Sequence, residues 1–261
     1  MAVALAAVTG AAADEPSVRA VVVRGSGEHF MAGGDLAFFK AWLDDDDDRS
    51  RRRDRFEAFV REVHPTIVAL RAMEKPVIAA VHGAVAGFGV SLMLACDLVV
   101  ASEDAVFTLA YSLIGASPDG SSTHTLPRIV GLKRAFEIAL LAERFSAAQA
   151  REWGLVNRVV ATAEFDAAVA ELASRLAQGP THAYANTKAL LNATYDRSLE
   201  QQLDAAAASF AACALTQDFA QGTPAFLDQR APRFPGPQRP QPVPARSRPP
   251  GSTRTPGPPP P

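Results

Sequence analysis

Strands interleaved with helices, then an unbroken run of helices, predict an α/β domain with a helical C-terminal part. Two observations carry this. β-branched apolar runs closed by glycine or a polar residue recur at Val18–Gly25, Lys75–Gly83 and Asp97–Ser102, which marks buried strands. Between and after them, apolar residues recur at helical spacing. The 261 residues suffice for one sizeable domain, and the 48% hydrophobic and 21% charged fractions are those of a globular protein.

Taken in order, the Ala-rich start "MAVALAAVTGAAADEP" reads as a helix leading into the first strand. It has no Lys or Arg ahead of its apolar part, as an export signal needs. After the strand "VRAVVVRG" comes the glycine loop "RGSGEHFMAGGDLAFF" (Arg24–Phe39). The run "DDDDDRSRRRDR" (Asp44–Arg55) sets acids against arginines and predicts a mobile, solvated surface loop. Phe56, Phe59, Val60, Val63, Ile67 and Leu70 predict one helix over Phe56–Ala72.

A second glycine loop, "HGAVAGFGVSLML" (His82–Leu94), joins the next strand to a short helix. The apolar stretch around it is no membrane span, because Asp97 stops Gly83–Cys96 short of the roughly 20 residues needed. "SAAQAREWG" (Ser146–Gly154) opens with a Ser-x-x-Gln capping box and stops at glycine, hence a short helix. Longer helices are expected at about 163–177, 181–194 and 198–214. Residues 236–261 hold 11 of the 20 prolines, four arginines and no acid, a composition that builds no core and predicts a disordered tail. The expected division is therefore a core over 1–180, a helical region over 181–235, and the tail.

The net charge of −2 carries no polyanion signal, so neither nucleic acid nor a membrane is an expected partner. Cys96 and Cys213 are far apart, without metal-ligand spacing, and suit a reducing cytoplasm.

The two glycine loops share a design: strand, glycine-rich turn, helix start. Neither matches a dinucleotide fingerprint or a P-loop. Both can bring backbone N–H groups to a cleft with no side chain in the way, and a helix start adds unpaired amides. Taken singly, each loop is better explained by tight helix–strand packing. Facing one another, the two would hold a developing oxyanion, each donor worth about 3–4 kcal/mol of transition-state stabilisation.

The order and spacing of "DEPSVRAVVVRGSGEHFMAGGDL", "KPVIAAVHGAVAGFGVSLMLACDLVVAS", "LIGASPDGSSTHTLPRIVGLKRAFEIALLAERFSAAQAREWGLVNRVV" and "TQDFAQGTPAFLDQRAPRF" resemble the enoyl-CoA hydratase/isomerase, or crotonase, family over residues 14–235. The resemblance implies a β/β/α spiral core, assembly as a homotrimer or hexamer through C-terminal helices, and an acyl-CoA thioester substrate. It implies no metal or redox cofactor, CoA arriving as part of the substrate. The oxyanion donors fall at the amides of Gly34 in "AGGD" and Phe88 in "AGFGV", with Ala32, Asp35, Leu36 and Gly87 lining the substrate beside them. Met1 falls inside what resembles the family's first helix, so the strand pair that precedes it in relatives is expected to be missing.

Hydratases of the family resemble one another in two glutamates. Their positions here hold Ser91 and Tyr111. A hydroxyl without a partner is no general base near neutral pH, and a phenol titrates near 10. Hydration is therefore poorly supported, and both residues are expected to contact or shape the substrate pocket, Ser91 as a small packing residue. One carboxylate remains, Asp119 in "ASPDGSSTHTLPR". Asp-Gly is a common turn former, yet the stretch resembles phenylacetate-pathway and related isomerases in which an aspartate here is the base. Asp119 is thus the expected proton shuttle. Phe38, Phe39 and Trp42 are expected to form an apolar lip or ordinary core packing, and Phe226 sits where relatives often close the cleft.

Overall fold

The computed structural model describes residues 1–45 and 48–236. In chain order it builds α1 (Ala2–Asp14), β1 (Val21–Arg24), α2 (Leu36–Asp45), α3 (Arg49–Arg61), α4 (His64–Ala72), β2 (Val77–Val81), β3 (Ala84–Ala86), α5 (Phe88–Leu94), β4 (Leu98–Ser102) and β5 (Val106–Thr108). A 3-10 turn (Tyr111–Ile114) then leads to α6 (Ser122–Leu141), which is broken at Gly131. β6 (Phe145–Ser146), α7 (Ala147–Glu152), β7 (Arg158–Val160), α8 (Phe165–Ala177), α9 (Thr181–Asn192), α10 (Leu199–Ala214) and α11 (Gln217–Leu227) complete it.

The strands form two sheets. β1, β2, β4 and β7 lie in that order, all parallel, while β3 pairs parallel with β5 and β5 antiparallel with β6. The chain runs from the first sheet to the second and then into a helix (β2–β3–α5, then β4–β5–α6), which is a β/β/α spiral. β2 is buried at every residue. Alternate residues therefore serve opposite faces: Ile78, Ala80 and Val100 pack with Phe165 and Val169 of α8, while Val77, Ala79, Val81 and Val99 enter the main core. Asp97, at the start of β4, accepts hydrogen bonds from Val77 N and Lys188 Nζ, each at 2.8 Å, tying α9 to two strand starts.

The short helix at Ser146 carries the expected capping box, with both reciprocal bonds made. Three expectations fail. β1, expected to be buried, lies at the end of its sheet with Val21 and Val23 half-buried and Val22 and Arg24 exposed. The single helix over Phe56–Ala72 is two helices, parted at Glu62–Val63. Pro65 has no N–H to continue the ladder and sits in the first turn of α4, where none is needed. The Asp44–Arg55 charge run is largely helical rather than a loop: Asp48 caps α3, accepting from Ser50 N at 2.8 Å and Arg51 N at 3.3 Å. Its arginines meet acids on the same or the neighbouring helix, as in Arg55–Asp45 at 3.4 Å. Asp46 and Asp47, and the expected tail from Pro237 on, lie outside the described residues.

Candidate active site

Where β1 and β2 end, their glycine loops meet. A short parallel bridge joins Met31 to Val85, with Met31 N donating to Ala84 O at 3.2 Å and Ala86 N to Met31 O at 2.8 Å. Gly89 lets this happen, since a Cβ there would collide with Met31 O. Gly33 (φ +101) and Gly87 (φ +51) adopt left-handed backbone that other residues avoid, and a Cβ on Gly87 would lie 3.5 Å from the Gly33 Cα. The neighbouring amides are engaged, as in Gly87 N to Thr108 O at 3.0 Å. Those of Gly34 and Phe88 are not: among the described residues neither donates to a protein acceptor. Phe88 opens α5, so its N–H is one of the amides a helix start leaves unpaired.

A cavity of about 630 Å³ lies against these loops. Ala32, Gly34, Asp35, Leu36, Gly87, Phe88, Tyr111 and Asp119 all line it, so the fold gathers eight of the ten sequence-predicted site residues. Asp35 is committed structurally, its carboxylate capping α2 by accepting from Ala37 N at 3.0 Å and Phe38 N at 3.1 Å. Phe38 and Phe39 line the cavity with Phe59, rings of Phe39 and Phe59 meeting edge to face at 5.4 Å. Trp42 is not on the wall; it packs on Phe59, with the Arg55 guanidinium 4.2 Å over its ring.

Ser91 packs inside the fold, as a small residue there was expected to, but is not on the cavity wall. It is fully buried behind the cavity, and its Oγ donates to the Asp119 carbonyl at 2.8 Å. Ser122 Oγ donates to the same carbonyl at 3.1 Å. The Asp119 carboxylate accepts from the Tyr111 hydroxyl at 2.5 Å. Burial first, and then the bond to Asp119 and its charge, push the Tyr111 phenol well up, so it remains a protonated donor at ordinary pH. A Cβ on Gly120 would come within 2.7 Å of the Phe88 ring, so the Asp119 turn and the start of α5 interlock.

Phe226 is the residue the fold does not bring here. It is 83% exposed and lines a separate cavity of about 380 Å³ with Phe219 and Phe234. It belongs to α11, and no turn returns that helix to the glycine loops within one chain. His82 Nε2 meets Gly27 O at 2.8 Å and His124 faces another cavity, so neither serves Ser91. Sequence reasoning missed Glu62, which lies at the α3–α4 joint and adds a third acid to the wall beside Asp35 and Asp119. Pro65 is the signal that a joint was due.

An established family model, enoyl-CoA hydratase/isomerase, matches residues 2–237. The chain belongs to that family. It is a crotonase-type acyl-CoA enzyme, and comparison with individual relatives places hydratases and isomerases near it alike. It is 34% identical to the peroxisomal Delta(3,5)-Delta(2,4)-dienoyl-CoA isomerase of Arabidopsis thaliana, over 84% of this chain and 80% of that protein. It is also 34% identical to the 1,2-epoxyphenylacetyl-CoA isomerase of Escherichia coli (strain K12), over 85% and 83%. The crystal structure of an enoyl-CoA hydratase from Polaromonas sp. JS666 superposes with a TM-score of 0.82 at 34% identity, covering 90% of this chain and 89% of that one. No helix among the described residues is long and apolar enough to cross a membrane.

Proposed function

We propose that this family member is an enoyl-CoA double-bond isomerase. The Asp119 carboxylate removes a proton from the carbon beside the thioester carbonyl of a 3-enoyl-CoA. The negative charge moves onto the thioester oxygen, between the N–H groups of Gly34 and Phe88. The same carboxyl group then returns the proton two carbons further along, giving the 2-enoyl thioester. One carboxyl suffices, because the proton removed is the proton returned. The step calls on no metal or redox group, and CoA enters with the substrate.

The observation that carries this reading is the interlock of base and donor: Gly120, next to Asp119, packs on the ring of Phe88. Supporting it too, Asp119 and Phe88 both line the one cavity. Purified protein incubated with trans-3-hexenoyl-CoA should form the 2-enoyl isomer. Formation of 3-hydroxyacyl-CoA from a 2-enoyl-CoA, without double-bond migration, would overturn the proposal. Such hydration is the second reading, and Glu62 is the observation that favours it, since it is an acid on the wall besides Asp119 and the helix-capping Asp35.

The assembly we propose is a homotrimer or a pair of trimers. Supporting it, Leu203 and Phe210 of α10 and Leu132 and Phe136 of α6 are exposed at 57–67%, more large apolar surface than one copy leaves uncovered without a partner. Light scattering on the eluted protein reads the mass directly.

A further inference from the structure

We infer that Tyr111 is a positioning residue for catalysis, which acts by holding one carboxylate oxygen of Asp119 so that the other faces the substrate cavity. The inference deepens the isomerase reading and rests on it for the identity of the base. Sequence comparison treats position 111, like position 91, as the loss of an acid. In the folded chain both side chains instead bond to Asp119, one to its carboxylate and the other to its carbonyl.

A carboxylate on a surface turn can rotate and offer either oxygen. Here each freedom is removed by a different contact. Ser91 and Ser122 hydroxyls anchor the carbonyl, fixing the backbone of the turn. The Tyr111 hydroxyl occupies Oδ1, which leaves Oδ2 to take the proton. Tyr111 is itself held from two sides. Ala110, in the left-handed region at φ +48, swings the chain so that Tyr111 N bonds back to Leu109 O at 2.6 Å. Its ring rests beside Gly87, where a Cβ would lie 3.9 Å from the ring carbon bearing the hydroxyl. A left-handed non-glycine is strained, and such conformations persist where surrounding structure imposes them.

The ring therefore spans from the oxyanion loop to the base. Movement of one would be felt by the other through a rigid aromatic spacer. Tyr111 does not itself exchange a proton with substrate in this account; its hydroxyl proton stays on oxygen while Oδ2 accepts and returns the substrate proton.

The test is Tyr111→Phe, which keeps the ring and removes the hydroxyl, beside Asp119→Asn, both assayed on trans-3-hexenoyl-CoA. The expected result for Tyr111→Phe is a kcat at least tenfold lower with KM within twofold and unchanged circular dichroism. Ultraviolet titration supplies a readout independent of turnover. The chain has three tyrosines, and subtracting the Tyr111→Phe curve isolates Tyr111. Its titration should move to lower pH in Asp119→Asn, because the carboxylate helps hold the phenol protonated. If Tyr111→Phe turns over like wild type while Asp119→Asn is inactive, the inference fails and the isomerase reading stands. If Asp119→Asn keeps wild-type activity, or wild type is itself inactive, the isomerase reading fails; a Tyr111 titration unmoved by Asp119→Asn then overturns the pairing as well.

Discussion

Ser91 Oγ donates to the carbonyl oxygen of Asp119 at 2.8 Å, across 28 residues of chain. A residue that reads as a vacated acid position is thus a fixed support for the Asp119 turn. Because Ser91 is fully buried, its hydroxyl needs that acceptor: a buried hydroxyl without one costs roughly 1–3 kcal/mol. Fold stability and site geometry coincide in one bond.

Asp119 and Glu62, two of the three acids on the cavity wall, should respond unequally. Asp119→Asn is expected to lower kcat by about 10²- to 10⁴-fold, the usual worth of a positioned proton carrier. Glu62→Gln should change kcat less than threefold. Steady-state kinetics on a 3-enoyl-CoA decides between them, and equal losses would make Glu62 a partner in the chemistry.

Gly120→Ala should damage stability and turnover together. The added Cβ would lie 2.7 Å from the Phe88 ring and 2.9 Å from the Ser91 Cβ, at a backbone φ of +60. Overpacking of this kind costs about 1–3 kcal/mol, and separating Phe88 from Asp119 spoils the site. Thermal denaturation and kcat measured on the same preparation should fall in parallel; a variant as stable as wild type would show that the turn yields.

Lys188→Met should destabilise the fold without touching the cavity. Lys188 Nζ donates to Leu70 O at 2.7 Å and to Asp97 Oδ2 at 2.8 Å, and its loss should cost about 2–3 kcal/mol. Burial raises the Asp97 carboxyl above its ordinary value, and Lys188 opposes that rise. The native state therefore binds this proton more tightly than the unfolded chain, so stability contributed at low pH is lost as pH rises through the raised value. Without Lys188 the loss should steepen and extend to higher pH, which urea unfolding across the acidic range would record.

Cys96 should be inert in the native protein. Burial, with Asp97 beside it, pushes its thiol up to about 12, and the thiolate is the reactive form. Iodoacetamide at pH 8 should leave Cys96 unmodified until denaturant is added, as peptide mapping would show.

Much of this architecture was legible in the chain. Strand positions followed from β-branched runs that only a doubly buried parallel sheet accommodates, and β2 is such a strand. The capping box at Ser146 is a pair of local bonds spanning three residues, so sequence spacing alone announced it. The α3–α4 break was missed because helical periodicity continues across Val63 although the backbone ladder does not. The charge run was misread for a related reason: composition suggests solvation, but the Asp48 cap and the ion pairs that follow stabilise a helix.

Alone, then, the sequence determined the α/β class, the helical C-terminal part and the paired glycine loops. These depend on residue type and on spacing along the chain, which the sequence records directly. Tertiary structure decided that Ser91 and Tyr111 hydrogen-bond to Asp119, that Glu62 joins the wall, and that Phe226 lines another cavity. Those outcomes depend on which distant segments touch, and the contact between α5 and the Asp119 turn exists only because Gly120 leaves room for the Phe88 ring.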